Sequence, residues 1–368
     1  MKRLCRFAVF FIMLFTASCS SYERVKGVHL QLQDPAIRQR YGGEMGALAD
    51  ELKQADVTLV IAPVLEDATA YYPSDLLPQR WEYGTQLLAF RHELRRRNIR
   101  FAACVPVFKD EYTQRSQPVL QAVNDYGAGI RGWICPSRPE YRNYKLQIIN
   151  EIMLILQPDA IYLEHCSYPA ENAQNGKIPP NNHIRSSCFC AACLRDFSEY
   201  ADVKFAANAS VAEQASHILN HYRKEWTLWR SGLITAYVET IRRQVHAMNP
   251  ACRILLERKP WTEKYLNTGL QQIYGLDIKT LQSYVDAFVL STLPEPDTGN
   301  DSLLTAALRE SADLGQRAIP AFQVRNYLRN GEERFRSDLQ SRRRNFIIYD
   351  WGQLLNNRRF LNIFITES

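Results

Sequence analysis

The chain lacks the features that would mark a nucleotide- or nucleic-acid-binding protein. No glycine-rich phosphate loop follows its first strand-like run, which argues against a dinucleotide-binding fold. Its excess of positive charge is small. Forty-five Lys and Arg stand against 39 Asp and Glu, a net +6. Three of those charges, Lys2, Arg3 and Arg6, sit in an N-terminal segment with the layout of a signal peptide, so +3 remains once they are subtracted. That is too weak to hold a phosphate backbone, and no nucleic-acid partner is expected. Arg95-Arg96-Arg97 and Arg342-Arg343-Arg344 read as solvated helix faces. There is no internal repeat and no low-complexity stretch. The apolar run from Phe7 to Phe15 is too short to span a bilayer.

That N-terminal segment has a positive start, a short apolar middle and small residues at Thr16-Ala17-Ser18-Cys19. It resembles a bacterial lipoprotein signal, with Thr16 where leucine is usual. The resemblance implies cleavage after residue 18, lipidation of Cys19, a linker over 19–24 and a folded unit over 25–368. Ser20 follows Cys19, and no Asp stands there. By resemblance this implies lipid anchoring in the cell envelope of a Gram-negative bacterium, at the outer membrane, with membrane contact through the lipid only. The plainer alternative is an ordinary cleaved signal in which Cys19 is incidental.

Short runs, apolar on both faces, alternate with helical patterns. The strand-like runs are 27–32, 57–64, 100–107, 160–166, 252–257, 287–293, 318–324 and 345–350. Strands buried on both faces are parallel strands covered by helices. Helical patterns lie between them, for instance at 87–97, 144–156 and, as one long element, 210–248. Eight such alternations predict a single α/β domain, a (β/α)₈ TIM barrel, with an open doubly wound sheet as the alternative. Two long stretches follow the fourth strand, and in a barrel such loops lie on the catalytic face. The first, with the cysteines behind it, forms a Cys-rich insertion over about 166–200.

Of nine cysteines, Cys5 and Cys19 belong to the signal region, leaving Cys104, Cys135, Cys166, Cys188, Cys190, Cys193 and Cys252. An odd number cannot all pair within one chain. Cys104 and Cys252 lie in strand-like runs and read as small buried apolar residues. Cys188-x-Cys190-x-x-Cys193 offers three soft ligands within six residues. Cys135, 53 positions before Cys188, would complete a closed tetrahedral Zn²⁺ site, with Cys166 as the substitute. Such a site is structural, pinning the loop after the fourth strand to the loop after the third. Disulfides such as Cys190–Cys193 or Cys135–Cys188 are the alternative, and an exported compartment favours them. No organic cofactor is expected.

From about 132 to about 296 the sequence resembles the β-galactosidases of glycoside hydrolase family 42 and uncharacterised barrel families related to them. Cys135-Pro136 with Pro139, Tyr141 and Arg142 comes first. A strand ending in Glu164, the cysteine triplet with Phe197, a helix with Trp226 and Trp229, Asn249-Pro250, a strand ending near Glu257 and finally Val285-Asp286-Ala287-Phe288-Val289 follow in the family's order. The resemblance implies that Glu164 is the general acid/base and that Cys135, Cys188, Cys190 and Cys193 bind zinc. Two departures matter. Leu163 precedes Glu164 where the family has Asn, and Gln323 ends the seventh strand where the family has its glutamate nucleophile.

Hydrolysis of a glycosidic bond needs two carboxyl groups. Glu257, ending an apolar strand next to Arg258 and Lys259, is the first choice for the second, with Asp350 and Glu295 behind it. His29, Tyr162, His165, Trp261 and Gln323 are candidates for contacting a carbohydrate substrate. Strand alternation places Tyr162 on the side of Glu164 and His165 on the opposite side. Tyr71, Tyr72, Trp133, Tyr168 and Trp351 join Trp261 as aromatic candidates, and two or three of these six are expected to line a groove. Three functions compete: an envelope glycoside hydrolase, a glycan-binding barrel without turnover, and a redox or metal-handling lipoprotein.

Overall fold

The structure, a computed structural model, describes residues 24–170, 187–261, 269–291, 300–328, 331–342 and 345–367. The signal segment with Cys19, most of the loop after the fourth strand, and Glu295 lie outside these residues.

Eight parallel strands close into a barrel. They are β1 (Lys26–His29), β2 (Leu59–Pro63), β3 (Arg100–Pro106), β4 (Ala160–Glu164), β5 (Arg253–Arg258), β6 (Ala287–Ser291), β7 (Ala318–Gln323) and β8 (Phe346–Tyr349). Each pairs with its sequence neighbours, and β8 closes on β1 through Gly27 opposite Ile347. All eight expected strands are present. Several stop one to three residues early at their C-terminal ends, because there the backbone turns into the loops of the mouth.

Strand alternation builds two cores. Side chains at Ile61, Cys104, Tyr162, Leu255, Val289 and Ile347 fill the barrel interior. Their neighbours, such as Phe101, Ile161, Leu256, Phe288 and Phe322, face outward onto the helices. Each fully buried aliphatic side chain contributes about 2 kcal/mol. The helix Pro139–Leu156 starts with proline at its first turn, where the missing N–H is harmless. The region 210–248 is two helices, Val211–His221 and Arg223–Met248, rather than one. Tyr222 breaks the run with non-helical backbone (φ −131°, ψ 23°).

One element has no counterpart in the sequence reading. Between β3 and the helix Pro139–Leu156 lies an antiparallel ribbon, Gln121–Val123 against Gly129–Ile134. It leads directly into Cys135. Among the described residues no helix is long and apolar enough to cross a membrane.

Candidate active site

β4 runs Ala160, Tyr162 and Glu164 up the inside of the barrel. The first two are buried in the interior core, so Glu164 is where that row meets the mouth. Its side chain keeps 26% exposure. The buried Cys104 thiol of β3 donates to Glu164 Oε2 at 3.7 Å. Burial pushes this thiol up, so it stays protonated and remains a donor.

His165 does not point away from Glu164. Its backbone is left-handed (φ +53°), which breaks strand alternation and brings the imidazole round to the mouth as well. The ring stands edge-on to Trp133, centroids 5.4 Å apart. Nδ1 lies 3.5 Å from Glu257 Oε2 and Nε2 4.0 Å from Glu164 Oε2. The imidazole thus stands between two carboxyl groups. Glu164, His165 and Glu257 each offer an atom within 4.8 Å of the others.

Glu257 is 9% exposed and well satisfied. Lys259 Nζ and Ser291 Oγ each donate to Oε1 at 2.9 Å, and the His165 backbone N–H donates to Oε2 at 3.0 Å. Burial alone would raise this carboxyl. The charges of Lys259 and His165, with these hydrogen bonds, outweigh it and hold Glu257 well below the usual carboxylate range. Glu257 is therefore a fixed negative charge.

β8 lies opposite β4 in the ring and ends beside Asp350, which lines the same cleft as Glu164. Asp350 caps the helix Trp351–Leu355, its Oδ1 accepting from Gln353 N at 2.8 Å. Burial, chiefly, raises its carboxyl above the ordinary value. His29 of β1 lines this cleft too and stacks on Tyr349, centroids 4.3 Å apart at 12°. Burial lowers His29 to about 4, so it is neutral at pH 7.

The mouth forms a groove of two lobes that share Lys109, Arg131 and His165. The lobe holding Glu164, Asp350 and His29 has a volume of about 540 Å³. The lobe holding Glu257, Lys259 and Trp133 has about 400 Å³. Both are within the range of small-ligand sites.

Three expected substrate contacts are not in the groove. Tyr162 is fully buried, its hydroxyl accepting from Tyr349 OH at 3.2 Å beneath the cleft floor. Strand alternation correctly gave it the side of Glu164, but two residues deeper. Trp261 is buried against Tyr274. Gln323 ends β7, where its carboxamide oxygen accepts from Arg325 Nε at 2.6 Å, and it does not line either lobe. Of the further aromatics only Trp133 lines the groove; Tyr71, Tyr72, Tyr168 and Trp351 are buried. Tyr349 and Tyr274 line it and were not anticipated, nor were Lys109, Arg131 and Cys104. The only sequence signal for Tyr349 and Cys104 was their position at or near strand ends.

Behind the groove wall, Cys135, Cys188, Cys190 and Cys193 meet in one buried cluster, each offering a sulfur within 4.8 Å of the others. No disulfide joins any described cysteine. Cys135 Sγ is 3.3 Å from Cys193 Sγ and 3.6 Å from Cys190 Sγ, far beyond a bonded pair at about 2.05 Å. Four thiolates around a zinc ion stand about 3.8 Å apart, given a Zn–S length of about 2.3 Å. The spacing, the burial and the donor type therefore fit a closed tetrahedral zinc site. The Val123 backbone N–H donates to Cys188 Sγ at 3.2 Å, and Ser137 Oγ lies 3.0 Å from Cys135 Sγ, as a charged sulfur cluster needs. Hydrogen bonds from Cys135, Cys188 and Cys193 push the Cys190 thiol strongly down, while burial pushes Cys188 and Cys193 up. The buried Arg230 lies over the Tyr168 ring at 4.1 Å and donates to the Gln272 and Ile273 carbonyls, linking the cluster's surroundings to the groove wall at Tyr274. Cys166 and Cys252 are buried and stand apart from the cluster.

No protein-family model and no curated protein matches this sequence. Solved structures share its fold. The PgaB (BpsB) glycoside hydrolase domain from Bordetella bronchiseptica superposes with a TM-score of 0.69 at 14% identity, over 94% of this chain and 99% of that one. The catalytic domain of β-amylase from Paenibacillus polymyxa gives 0.65 at 13% identity, over 93% and 96%. A β-galactosidase from Rahnella sp. R3 gives 0.53 at 11% identity, over 76% of this chain and 40% of the enzyme. The chain has the (β/α)₈ barrel that these glycoside hydrolases use.

Proposed function

We propose that the chain is a glycoside hydrolase acting on an oligo- or polysaccharide, with Glu164 as general acid/base. The observation that carries this reading is Glu164 itself: a carboxyl at the end of β4, open to a groove at the barrel mouth, with a thiol as its hydrogen-bond partner. Active sites of this fold lie at that face, and the fold is shared with glycoside hydrolases of similar length. Glu164 would protonate the glycosidic oxygen as the bond to the anomeric carbon breaks and a second carboxylate bonds to that carbon; the ionised Glu164 would then take a proton from the water that displaces that carboxylate.

The second carboxyl is better supplied by Asp350 than by Glu257. Glu257 is close enough to Glu164 for the short carboxyl spacing of about 5 Å. However, both its oxygens are already bonded, and it roots on the strand beside β4 rather than across the groove. Attack through Oε1 would forfeit Lys259 and Ser291, and attack through Oε2 the His165 backbone N–H. Asp350 faces the cleft from the opposite side of the ring, its oxygens accept from the Gln353 backbone N–H and side-chain amide rather than from a lysine, and burial makes it a stronger nucleophile once ionised. Glu257 instead anchors Lys259 and His165.

The test is product release from a panel of polysaccharides by the full chain and its variants. Glu164→Gln and Asp350→Asn are each expected to lower kcat by about a hundredfold or more. Glu257→Gln should act mainly on stability. An unchanged rate in Glu164→Gln would sink the assignment. A second reading, a glycan-binding barrel without turnover, draws on Gln323, an amide where β7 could have offered a carboxylate. Binding of a glycan by the wild-type chain, with no product from any of the panel, would favour it.

The same proposal includes a structural zinc ion held by Cys135, Cys188, Cys190 and Cys193, and anchoring at the cell envelope through lipid on Cys19. Metal analysis of the purified chain should give one zinc per molecule. Labelling with a radioactive fatty acid should be lost in Cys19→Ala.

A further inference from the structure

The two lobes of the groove differ in charge, and His165 stands between them. On the Glu164 side, Glu66, Asp67, Glu111 and Asp350 add four more carboxylates to the lining. On the Glu257 side the balance reverses. Lys109 and Arg131, which stand on the boundary and line both lobes, are joined there by Lys259 against a single carboxylate, Glu257. Arg258 also borders the lobe, but its guanidinium turns away to the Trp261 carbonyl and Ser311.

Glu257 does not neutralise this lobe. Its charge is matched by Lys259 at 2.9 Å, and it is nearly out of contact with solvent. Lys109 has no hydrogen-bond or ionic partner among the described residues. Arg131, 78% exposed, is held by Glu111 at 2.7 Å, but Glu111 is shared with Arg115, so two guanidinium groups divide one carboxylate. A positive excess therefore remains over a concave surface whose floor is apolar, formed by Trp133, Tyr274 and Leu276.

We propose that this lobe is a subsite for a sugar residue bearing an anionic group, a carboxylate or sulfate on the ring. The sugar ring would rest against Trp133, and its anionic group would meet Lys109 and Arg131. The acidic lobe repels the same group, so an acidic residue in the chain fixes which end of the glycan lies over Glu164. This inference rests on the reading of the groove as a glycan site, and names the substrate class for one half of it.

The experiment is equilibrium binding by calorimetry to the full chain carrying Glu164→Gln, which prevents turnover. The ligands are neutral hexose oligosaccharides, uronic acid oligosaccharides and sulfated oligosaccharides of equal length, at low and high salt. Acidic oligosaccharides are expected to bind about three- to tenfold tighter than neutral ones at low salt, with the preference fading as salt rises. Whichever acidic ligand binds more tightly identifies the anionic group. In the further double variant Lys109→Gln/Arg131→Gln the ratio of acidic to neutral affinity is expected to fall to about one, with urea unfolding as the check that the variant is folded. Equal affinity for neutral and acidic ligands, or a preference that survives the double variant, overturns the inference but leaves the glycan groove standing. Failure of every oligosaccharide to bind overturns both.

Discussion

His29 offers a direct test of the electrostatics of the barrel mouth. The ring is buried, stacked on Tyr349, and its Nδ1 has no hydrogen-bond partner among the described residues. Burial lowers it from 6.5 to about 4. In the unfolded chain it titrates near 6.5. The sign follows from linkage. Above pH 6.5 both states are neutral, and His29 contributes no pH dependence. Between pH 6.5 and 4 the unfolded state takes up a proton that the native state refuses, so stability falls as pH falls. With these two values the loss is about 2 kcal/mol at pH 5 and about 3 kcal/mol near pH 4. His29→Phe keeps a flat ring against Tyr349 and removes the titration. Its stability at pH 8 is expected to lie within about 1 kcal/mol of wild type. Urea unfolding of both proteins from pH 8 to pH 4.5 measures the effect. Carboxylates titrating over the same range are common to both, so the difference between the two curves isolates His29. If the variant loses stability toward acid as steeply as wild type, the imidazole is not held neutral and the account of the mouth is wrong.

Further perturbations test the remaining charges. Lys259→Met leaves Glu257 charged and nearly buried; a loss of about 2 kcal/mol in urea unfolding is expected, below the range for wholly buried pairs because Lys259 is 22% exposed. A variant as stable as wild type would mean that Lys259 does not compensate Glu257. Deep in the wall, Lys145 Nζ lies 3.5 Å from Asp110 Oδ2 with both side chains buried. Asp110 also accepts from Thr113 and Tyr141. Lys145→Met should cost about 3 kcal/mol, and a neutral result would show that those donors suffice. Cys135→Ser should abolish zinc content by metal analysis and lower stability by about 4 kcal/mol; full zinc retention would remove Cys135 from the ligand set.

The barrel was legible because parallel strands covered on both faces are apolar at every position, a signal that survives without any alignment. Glu164, His165, Glu257 and Asp350 were legible because strand C-termini converge on one mouth. Spacing marked Cys188, Cys190 and Cys193 as a ligand triplet; Cys135 joined them through the family resemblance, with Cys166 and disulfides open on spacing alone. Depth was not legible. Period-two alternation gives the side of a strand and not the level, so Tyr162 was assigned to the groove when it lies beneath the floor. The direction of His165 was misread because one left-handed residue cancels alternation, and histidine carries no local mark for that conformation. Lys109, Arg131 and the ribbon were not legible because ribbon and loop positions have no periodic pattern to anchor them.

The ribbon Gln121–Ile134 serves two masters at once. Its second strand presents Arg131 and Trp133 to the groove and, one residue after its end, delivers Cys135 to the sulfur cluster. Evolution or redesign cannot slide this stem by one residue to present a different rim, because the same shift would pull a ligand out of the cluster. New specificity on this side must come from exchanging side chains in place. Changes of length are confined to the tip around Tyr126 and Gly127, where Asn124 closes the turn by accepting from Tyr126 N and Ala128 N.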